Sequence, residues 1–483
     1  MQNPFPKVER SPQSRCRFAI ATADITPPAD IYHRMWGAAK HERATGVHRP
    51  LRASVAVFAP VDTSATDTPQ ILVALDHCIL GTQEHHDLVE RIATRAQIDA
   101  DQILVVLSHT HGAGLMGLDR TGFPGGDLIP GYLESVGETC GRLASEALAK
   151  ARPAWTVYGT GRCTLARYRD YHDASRCETV VGYTPDYPAD DTVIVARFTD
   201  DAGNLLATMV NYACHPTTLA WENTLISPDF VGAMREVVER EFPAPCLFLQ
   251  GASGELGPRE GFVGDPAIAD RNGRELGFAA LSALVGLPKA GAEFFYKGAV
   301  VSGATLGVWD YRPLPEEAES AARVWRRVRW KELLRYRAGL GTIEEVDAER
   351  EALRAQEETA RASGDAVGAA DLRALVERNT RLLHRLKQLP RGTHFPLQVV
   401  LWSVGDAVWI GVQGESYSIL QTELRARFPN RTIVVATIAA DWSVSYLPPR
   451  ALYGKDIYQE RISAVEAGSL ETLIESIAQR ISP

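Results

Sequence analysis

The chain has 483 residues, of which 45% are hydrophobic and 23% are charged, and this composition is that of an ordinary globular protein. Its formal net charge of -9 and its isoelectric point near 5.8 argue against nucleic acid as a partner, because phosphate binding requires a basic surface. No apolar run is long enough to form a transmembrane segment, and neither a Walker-type phosphate loop nor an HExxH helix is present.

The amino terminus and the cysteines bear on the cellular compartment. Residues 1–10 contain no apolar stretch of the length that a signal peptide requires. The seven cysteines are scattered and include no CxxC pair, which favours reduced, mostly buried thiols over a disulfide framework or a cysteine zinc site. We therefore expect a cytoplasmic protein.

Strand-like apolar runs alternate with amphipathic helices over about the first 310 residues, which predicts an α/β fold with a mixed β-sheet core and flanking helices. One such run, residues 103–107, ends at His109 and His111, and a glycine-rich turn follows. Side chains two positions apart on an extended segment point to the same side, so both imidazoles can face one cavity. An HxH pair is weak evidence for a metal site when it stands alone.

A helix that begins at residue 228 is predicted in detail. Ser227 would be its N-cap, with Pro228 at the first helical position and Asp229 in the first turn. Asp229 has two interpretations: its carboxylate caps the helix, or it orients a metal-bound histidine. Apolar residues then recur at helical spacing and would form one buried face, namely Phe230, Ala233, Met234, Val237 and Val238.

Three later apolar runs also end near residues that bind metals. Residues 205–210 lead to His215, residues 407–412 lead to Glu415, and residues 432–438 precede Tyr446. Imidazole, carboxylate and phenol side chains at strand ends are the ligands expected of a zinc site. The alternative is that the two histidines are buried core residues, Glu415 is a surface carboxylate and Tyr446 is packed, which requires a separate coincidence at each strand end.

The composition changes to Ala, Arg, Glu and Leu between residues 315 and 389, which predicts two or three long helices. We therefore divide the chain into residues 1–314, the first part of a catalytic α/β domain, residues 315–389, an antiparallel helical insertion, and residues 390–483, the second part of the domain. Aromatic residues such as Trp325 and Trp330 would give the insertion a packing face. That face contacts either the core or a second copy in a homo-oligomer.

The order of several motifs resembles that of the neutral, alkaline-type (non-lysosomal) ceramidase family. The chain looks like a divergent member consisting of the catalytic domain, without the family's C-terminal immunoglobulin-like domain. Ordered motifs over hundreds of residues are more specific than any one of them. Ala21–Pro28 and Gly46–Ala53 are similar to the family's first strand and glycine-rich turn. The later motifs, each followed by the family's pattern in parentheses, are Ser108–Gly114 (THTHSG), Asn211–Thr217 (NWxxxHxT), Gln250–Pro258 (QxxxGxxSP) and Gly414-Glu415 (PGE), and the tyrosines Tyr446, Tyr453 and Tyr458 resemble the family's closing motif.

The resemblance implies a zinc ion, Zn2+, bound by His109, His215, Glu415 and Tyr446. Only the resemblance selects His109 rather than His111 as the ligand. Zinc accepts imidazole nitrogen and carboxylate oxygen in a roughly tetrahedral arrangement, so the chemistry of these side chains agrees with the implied set.

The resemblance also implies roles for residues beside the metal. His111 would act as an acid/base or oxyanion-stabilising group, and Tyr458 would contact the substrate carbonyl. Arg169 falls near the family's substrate-facing NRS element, although the asparagine and serine of that element are replaced here.

One departure from the family concerns the catalytic serine of the QxxxGxxSP element, because Gly257 occupies its position. Glycine has no oxygen that could attack or orient water, so a serine mechanism cannot be carried over to this position. Ser253 lies four residues earlier and outside any GxSxG elbow, and a tight glycine turn explains its surroundings as well as a chemical role does. We therefore expect attack by metal-activated water, with Glu255 or His111 moving the proton.

The sequence thus predicts a zinc-dependent hydrolase that cleaves the amide bond of a small N-acyl or lipid-like molecule, of which ceramide is the class implied by the family. Two alternatives stay open. The enzyme could act on another ester, lactone or C–N substrate, or the chain could be a catalytically silent, metal-containing binding protein.

Overall fold

The computed structural model describes residues 7–62 and 68–481. Strands occur along the whole described chain and vary from two to twelve residues in length. The strands are β1 (Val8–Glu9), β2 (Gln13–Asp24), β3 (Gly46–Val47), β4 (Arg52–Ala59), β5 (Gln70–Leu75), β6 (Ile103–Leu107), β7 (Arg152–Arg162), β8 (Ala166–Tyr168), β9 (Asp170–Asp173), β10 (Glu178–Val181), β11 (Thr192–Asp200), β12 (Leu205–Tyr212), β13 (Leu225–Ile226), β14 (Cys246–Gln250), β15 (Leu256–Pro258), β16 (Ala292–Ser302), β17 (Ala304–Pro313), β18 (Trp325–Arg335), β19 (His394–Val404), β20 (Ala407–Val412), β21 (Glu415–Ser416), β22 (Thr432–Ala436) and β23 (Tyr446–Leu447).

The α-helices lie between these strands and at the carboxyl-terminal end of the described chain. They are α1 (Thr82–Ala96), α2 (Ile129–Lys150), α3 (Phe230–Glu241), α4 (Pro266–Val285), α5 (Glu316–Ala322), α6 (Ile343–Ala362), α7 (Ala366–Gln388), α8 (Ile419–Arg427), α9 (Tyr458–Ile462) and α10 (Ser469–Ile481).

The larger sheet has eight strands in the order β14-β12-β11-β7-β2-β4-β5-β6. Its inner neighbours are antiparallel, whereas the two outermost pairs, β14 with β12 and β5 with β6, are parallel. The predicted mixed sheet with flanking helices is confirmed. A smaller sheet contains β18-β19-β20-β22, of which only the last pair is parallel.

The two sheets pack face to face through a layer of buried aliphatic and aromatic side chains, including Phe18, Phe58, Trp402 and Trp409. Helices α1 to α4 cover the outer face of the larger sheet, and α8 and α10 cover the outer face of the smaller one. Successive side chains along each strand point to opposite faces of the sheet. One face of each sheet can therefore pack on the other sheet while its other face packs on helices. The result is an α/β/β/α stack of four layers.

The outermost strands of the larger sheet, β6 and β14, come close to each other in space although they stand at opposite ends of its strand order. Residues 437–440, which follow β22, join them. The Thr437 N–H donates to the Gln250 carbonyl at 2.9 Å, and the Ala440 N–H donates to the Val105 carbonyl at 3.1 Å. The strand ends that carry candidate ligands therefore meet at one place.

Helices α6 and α7 form the predicted antiparallel hairpin. The prediction of helix is wrong for residues 325–335, which form β18 and pair with β19 from Trp325 opposite Val404 to Arg335 opposite His394. Pairing with β19 along eleven residues, together with the partial burial of about every second side chain, stabilises the strand more than the helix propensity of Arg, Leu and Glu stabilises a helix. Of the two alternatives for its aromatic residues, the structure shows packing on the core, since Trp330 lies against the cluster beneath the smaller sheet.

The N-cap of helix α3 lies two residues later than the predicted N-cap, Ser227. Its N-cap is Asp229, whose side chain accepts a hydrogen bond from the Phe230 N–H. Asp229 has a φ of 53°, so the chain is not helical before it, and Ser227 instead accepts a hydrogen bond from the Asp229 N–H. The predicted buried face is confirmed except at Val237, which is half-buried.

No helix among the described residues combines the length and the apolar character needed to cross a membrane. All seven cysteines are free thiols; Cys177 is exposed and the other six are buried. Residues 1–6, which belong to the stretch that lacks a signal-peptide pattern, lie outside the described residues.

Candidate metal centre

His109 lies directly beyond β6, at the edge of the larger sheet. Its φ of 64° is in the left-handed region, which is uncommon for a residue other than glycine. Its imidazole is buried, and Nδ1 donates a hydrogen bond to the Cys78 carbonyl at 2.8 Å. The opposite nitrogen, Nε2, lies 3.3 Å from Oε2 of Glu415.

His215 follows β12 by three residues, and Pro216 ends the possibility of strand pairing there. Its imidazole is fully buried. Nδ1 donates to the Ser253 carbonyl at 2.7 Å, with the Leu256 carbonyl at 3.1 Å. Nε2 is 2.8 Å from Oε2 of Glu415 and 3.2 Å from the Tyr446 hydroxyl.

Glu415 and Tyr446 are direct partners in the short parallel pair formed by β21 and β23. Oε2 of Glu415 faces the two imidazoles, while Oε1 accepts a hydrogen bond from the indole N–H of Trp442. Both carboxylate oxygens are therefore held in place. The structure brings together all four residues that the sequence nominated as zinc ligands.

The donor atoms converge in the way that a metal site requires. Each histidine donates Nδ1–H to a backbone carbonyl, so both Nε2 atoms face the same carboxylate and could bind a metal ion in place of a proton. One ligand atom from each of His109, His215 and Glu415 lies within 4.8 Å of the others. The buried Nε2 of His109 has no hydrogen-bond partner among the described residues. These nitrogen and oxygen donors fit a zinc ion.

The charges at this centre are set by burial and by the neighbouring rings. Burial acts to raise the pKa of Glu415, but His109 and His215 outweigh it and hold that pKa well below its usual value. The carboxylate is therefore ionised at neutral pH. Burial, with Glu415 adding to it, raises the pKa of the Tyr446 hydroxyl well above its usual value, so the phenol stays protonated.

His111 lies beside the centre, in a short 3-10 turn over His111–Ala113. Its ring centroid is 4.9 Å from that of His109 and 5.1 Å from that of Trp36. Neither ring nitrogen has a hydrogen-bond partner among the described residues. Burial, with His109 and His215 adding to it, holds the pKa of His111 well below its usual value, so the imidazole is neutral and one of its ring nitrogens can accept a hydrogen bond.

Arg169 and Tyr458 both lie next to Tyr446. Arg169 is buried and donates to the Tyr446 hydroxyl at 3.0 Å and to the Gly254 carbonyl at 2.7 Å. Tyr458 is the first residue of α9, and its ring centroid is 5.9 Å from that of Tyr446. Tyr458 is 42% exposed, whereas Tyr446 is 4% exposed.

Glu255 makes its side-chain contacts away from these residues. Its carboxylate accepts hydrogen bonds from the backbone N–H and the hydroxyl of Ser418, at the start of α8. Burial raises the pKa of Glu255 to about 7. Asp229 likewise binds backbone, with the Leu219 N–H at 2.8 Å, so of its two interpretations the structure shows the helix cap. Transfer of the reacting proton by Glu255 stays a prediction.

Ser253 and Gly257 lie next to His215 and Arg169, respectively. The Ser253 hydroxyl accepts a hydrogen bond from Gln250 at 2.7 Å and is 3.3 Å from Nδ1 of His215. It is therefore on the side of the imidazole opposite to Glu415. At Gly257, an added Cβ atom would have Cδ of Arg169 as its nearest neighbour at 3.7 Å, so the backbone leaves room for a small side chain.

Sequence reasoning missed two residues that shape the centre. Trp442 fixes the orientation of Glu415 through its indole N–H. Arg385, in α7 of the helical hairpin, lies over the Trp442 ring with Cζ 5.6 Å from the ring centroid. Local sequence carries no signal for either contact, because each joins segments that are far apart in the chain.

Comparison with known proteins gives one consistent result. No family model matches the chain. The neutral ceramidase of Pseudomonas aeruginosa is 24% identical over 259 residues, which cover 50% of this chain and 37% of the ceramidase. The matched region thus spans well under half of that relative.

Solved structures extend the similarity to nearly the whole chain. The crystal structure of neutral ceramidase from Pseudomonas aeruginosa superposes with a TM-score of 0.64 at 16% identity, covering 97% of this chain and 74% of the other. A structure of ceramidase complexed with C2 gives a TM-score of 0.62 with the same identity and coverage. The chain therefore has the fold of neutral ceramidase and is similar to it in sequence over half of its own length.

Proposed function

We propose that the protein is a zinc-dependent hydrolase that cleaves the amide bond of an N-acyl compound. The observation that carries the proposal is the convergence of two buried histidine Nε2 atoms on one oxygen of Glu415, at 3.3 and 2.8 Å. Two imidazole nitrogens and an ionised carboxylate that converge in a buried site form a favourable position for a cation.

The metal would be bound by four residues: His109, His215, Glu415 and Tyr446. A zinc ion, when bound, polarises a carbonyl oxygen and lowers the pKa of a coordinated water to about 7. The carbonyls of Cys78 and Ser253 fix the two imidazole orientations, and Trp442 fixes that of Glu415. Such supporting contacts typically contribute tenfold to a hundredfold to metal affinity.

The side chains around the metal ligands supply the remaining chemistry. His111 has two unpartnered ring nitrogens, so it can accept the proton of the attacking water and return it to the leaving amine nitrogen. Arg169 donates to the Tyr446 hydroxyl, and Tyr458 would donate to the substrate carbonyl. The position of Ser253 behind His215 supports attack by water rather than by a serine.

The similarity to neutral ceramidase supports an amide as the bond cleaved, because a ceramidase cleaves the amide bond of ceramide. It also supports an N-acyl, lipid-like substrate class. Since the matched region spans 37% of that relative, the substrate class is part of the proposal.

Metal analysis and a substrate panel test the proposal on the full chain. We expect about one zinc per chain, hydrolysis of N-acyl amides, loss of activity after chelation, and recovery on adding zinc. Replacing His215 by Ala or Glu415 by Gln should release the metal, whereas His172→Ala, at an exposed histidine, should leave both metal and activity unchanged. Hydrolysis of esters or lactones but no amide would overturn the substrate class, and unchanged zinc content in both ligand variants would overturn the site.

A further inference from the structure

Helix α7 of the hairpin lies against two parts of the metal centre. Near its middle, the Arg381 guanidinium donates to the carbonyl of Met35, next to Trp36, whose ring packs on His111. One turn later, Arg385 lies over Trp442, whose indole N–H binds Glu415. The hairpin therefore forms part of the wall around the proposed reaction site, and Arg385 is separated from a metal ligand by a single indole ring.

Arg385 is a buried cation without a countercharge. Only 7% of the residue is exposed, yet no carboxylate among the described residues lies within 4.0 Å of its guanidinium nitrogens, and its Nε has no hydrogen-bond partner there. Its neighbours on α7 differ, since Arg381 pairs with Glu377 and Arg378 pairs with Glu349. Burying a charge without an ion-pair partner is costly, so a bound anion would stabilise this guanidinium.

The guanidinium stays charged under working conditions. Burial lowers the pKa of Arg385 to about 10, while Tyr458 and Glu415 act in the opposite direction. The group is therefore protonated at neutral pH, and the two residues that raise its pKa, Tyr458 and Glu415, belong to the centre, whereas Arg337 lowers it. The Trp442 ring packs on one face of the planar guanidinium. The N–H groups along the edge of the guanidinium can therefore donate to an acceptor.

The balance of charge at the centre also favours an anionic ligand. Arg169 is a second buried cation there, and Glu415 is the ionised carboxylate that faces the histidines. A divalent metal would raise the local positive charge further. Asp170 and Glu415 both act on the charge of Arg169, whereas Arg385 has no carboxylate within 4.0 Å among the described residues, and one substrate carboxylate would pair with it in the bidentate geometry that arginine favours.

We propose that Arg385 binds a carboxylate of the substrate, and that the substrate is an N-acyl amino acid rather than a neutral N-acyl amide. This inference rests on the proposed amide hydrolysis. The acyl-bearing nitrogen and the carboxylate of such a molecule are separated by one carbon, so the scissile bond can face His111 and the metal ligands while the carboxylate meets Arg385 across Trp442.

Two nearly isosteric substrates test the inference: N-octanoyl-glycine and N-octanoyl-glycinamide. We expect the wild-type holoenzyme to cleave the carboxylate with a kcat/KM roughly 10- to 100-fold higher than the carboxamide. Arg385→Gln should remove this preference by lowering kcat/KM for the carboxylate alone, and Arg385→Lys should keep part of it. Arg378→Gln, on the same helix but about half exposed, is the matched control and should retain the full preference.

A binding measurement separates this inference from the proposed function. In the chelator-treated protein, calorimetry should show tighter binding of N-octanoyl-glycine than of the carboxamide, and the difference should vanish in Arg385→Gln. Equal binding and equal kcat/KM for the two ligands in the wild type would overturn the carboxylate assignment while leaving amide hydrolysis intact. Binding preference without hydrolysis of either amide would support the role of Arg385 and overturn the proposed reaction instead.

Discussion

Hydrogen bonds to backbone carbonyls, rather than the spacing of the histidines, decide which imidazole faces the metal position. Nδ1 of His109 binds the Cys78 carbonyl, whereas neither ring nitrogen of His111 has a partner among the described residues. The HxH spacing predicts two side chains on one face of an extended segment. The left-handed φ of His109 and the 3-10 turn that begins at His111 break that geometry, which no local sequence pattern indicates.

Replacement of His111 and of Ser253 should separate a water mechanism from a serine mechanism. We expect His111→Ala to lower turnover of an amide substrate by roughly a hundredfold with zinc retained, because a proton-transfer group is lost. Ser253→Ala should keep turnover within a few-fold of wild type, since this hydroxyl lies on the Nδ1 side of His215. Both variants are compared at equal zinc occupancy. Collapse of activity in Ser253→Ala with a nearly normal His111→Ala would restore a serine nucleophile.

The buried carboxyl of Glu255 should make stability depend on pH. Burial raises its pKa from 4.5 to about 7 in the folded state, so the folded protein binds the proton more tightly than the unfolded chain. This contribution is fully present below about pH 4.5 and is lost as the pH rises through about 7. The rise in pKa corresponds to roughly 3 kcal/mol.

In wild type the free energy of unfolding should fall as the pH rises from 4.5 to 7.5, partly because Glu255 loses its proton. In Glu255→Gln this part of the fall should be absent, as measured by urea denaturation at each pH. Glu423→Gln, on α8 and partly exposed, serves as the control and should keep the wild-type slope. An identical slope in Glu255→Gln and wild type would contradict the raised pKa.

At the scale of elements, composition predicts the hairpin of α6 and α7 but not the strand that precedes it. Arg, Leu and Glu favour helix in isolation, and the sequence of residues 325–335 shows no clear alternation that would favour a strand. Pairing with β19 decides the outcome, because an exposed partner edge offers eleven residues of hydrogen bonding. A deletion of residues 316–388 would therefore remove part of the smaller sheet together with the hairpin.

A buried ion pair should contribute to the attachment of the hairpin to the rest of the protein. Arg120 is 1% exposed and Glu377 of α7 is 4% exposed, with 2.9 Å between Nη1 of Arg120 and Oε1 of Glu377. Removing one partner of such a pair typically costs about 3–5 kcal/mol, and we expect the lower end of that range because Arg120 keeps its contact with Asp119 at 3.0 Å. Glu377→Gln should therefore lower the free energy of unfolding by an amount of this order in chemical denaturation.

Two further variants show whether the loss comes from the uncompensated charge. Glu351→Gln in α6, whose exposed carboxylate pairs with surface arginines, should change stability by less than about 1 kcal/mol. Arg120→Met combined with Glu377→Leu should recover much of the stability lost in Glu377→Gln. If Glu377→Gln were no more destabilising than Glu351→Gln, the ion pair would not hold the hairpin.

At the scale of the whole molecule, the centre depends on the packing of two sheets that sequence alone does not place together. His109 and His215 follow strands of the larger sheet, while Glu415 and Tyr446 follow strands of the smaller sheet. Each strand end could be located from its apolar run. Their meeting depends on the approach of β6 to β14 and on residues 437–440, which bind both, and these contacts are long-range.

A metal bound between the two sheets should stabilise them as one unit. Any ligand that binds only the folded state adds RT ln(1 + [L]/Kd), or about 2.7 kcal/mol at one hundred times Kd. We therefore expect the Tm of the chelator-treated protein to rise by several degrees on adding zinc, and to stay unchanged on adding magnesium, which disfavours imidazole ligands. In Glu415→Gln the zinc-dependent rise should largely disappear, while His172→Ala should show the full rise. A rise of equal size in wild type and Glu415→Gln would place the stabilising zinc elsewhere in the protein.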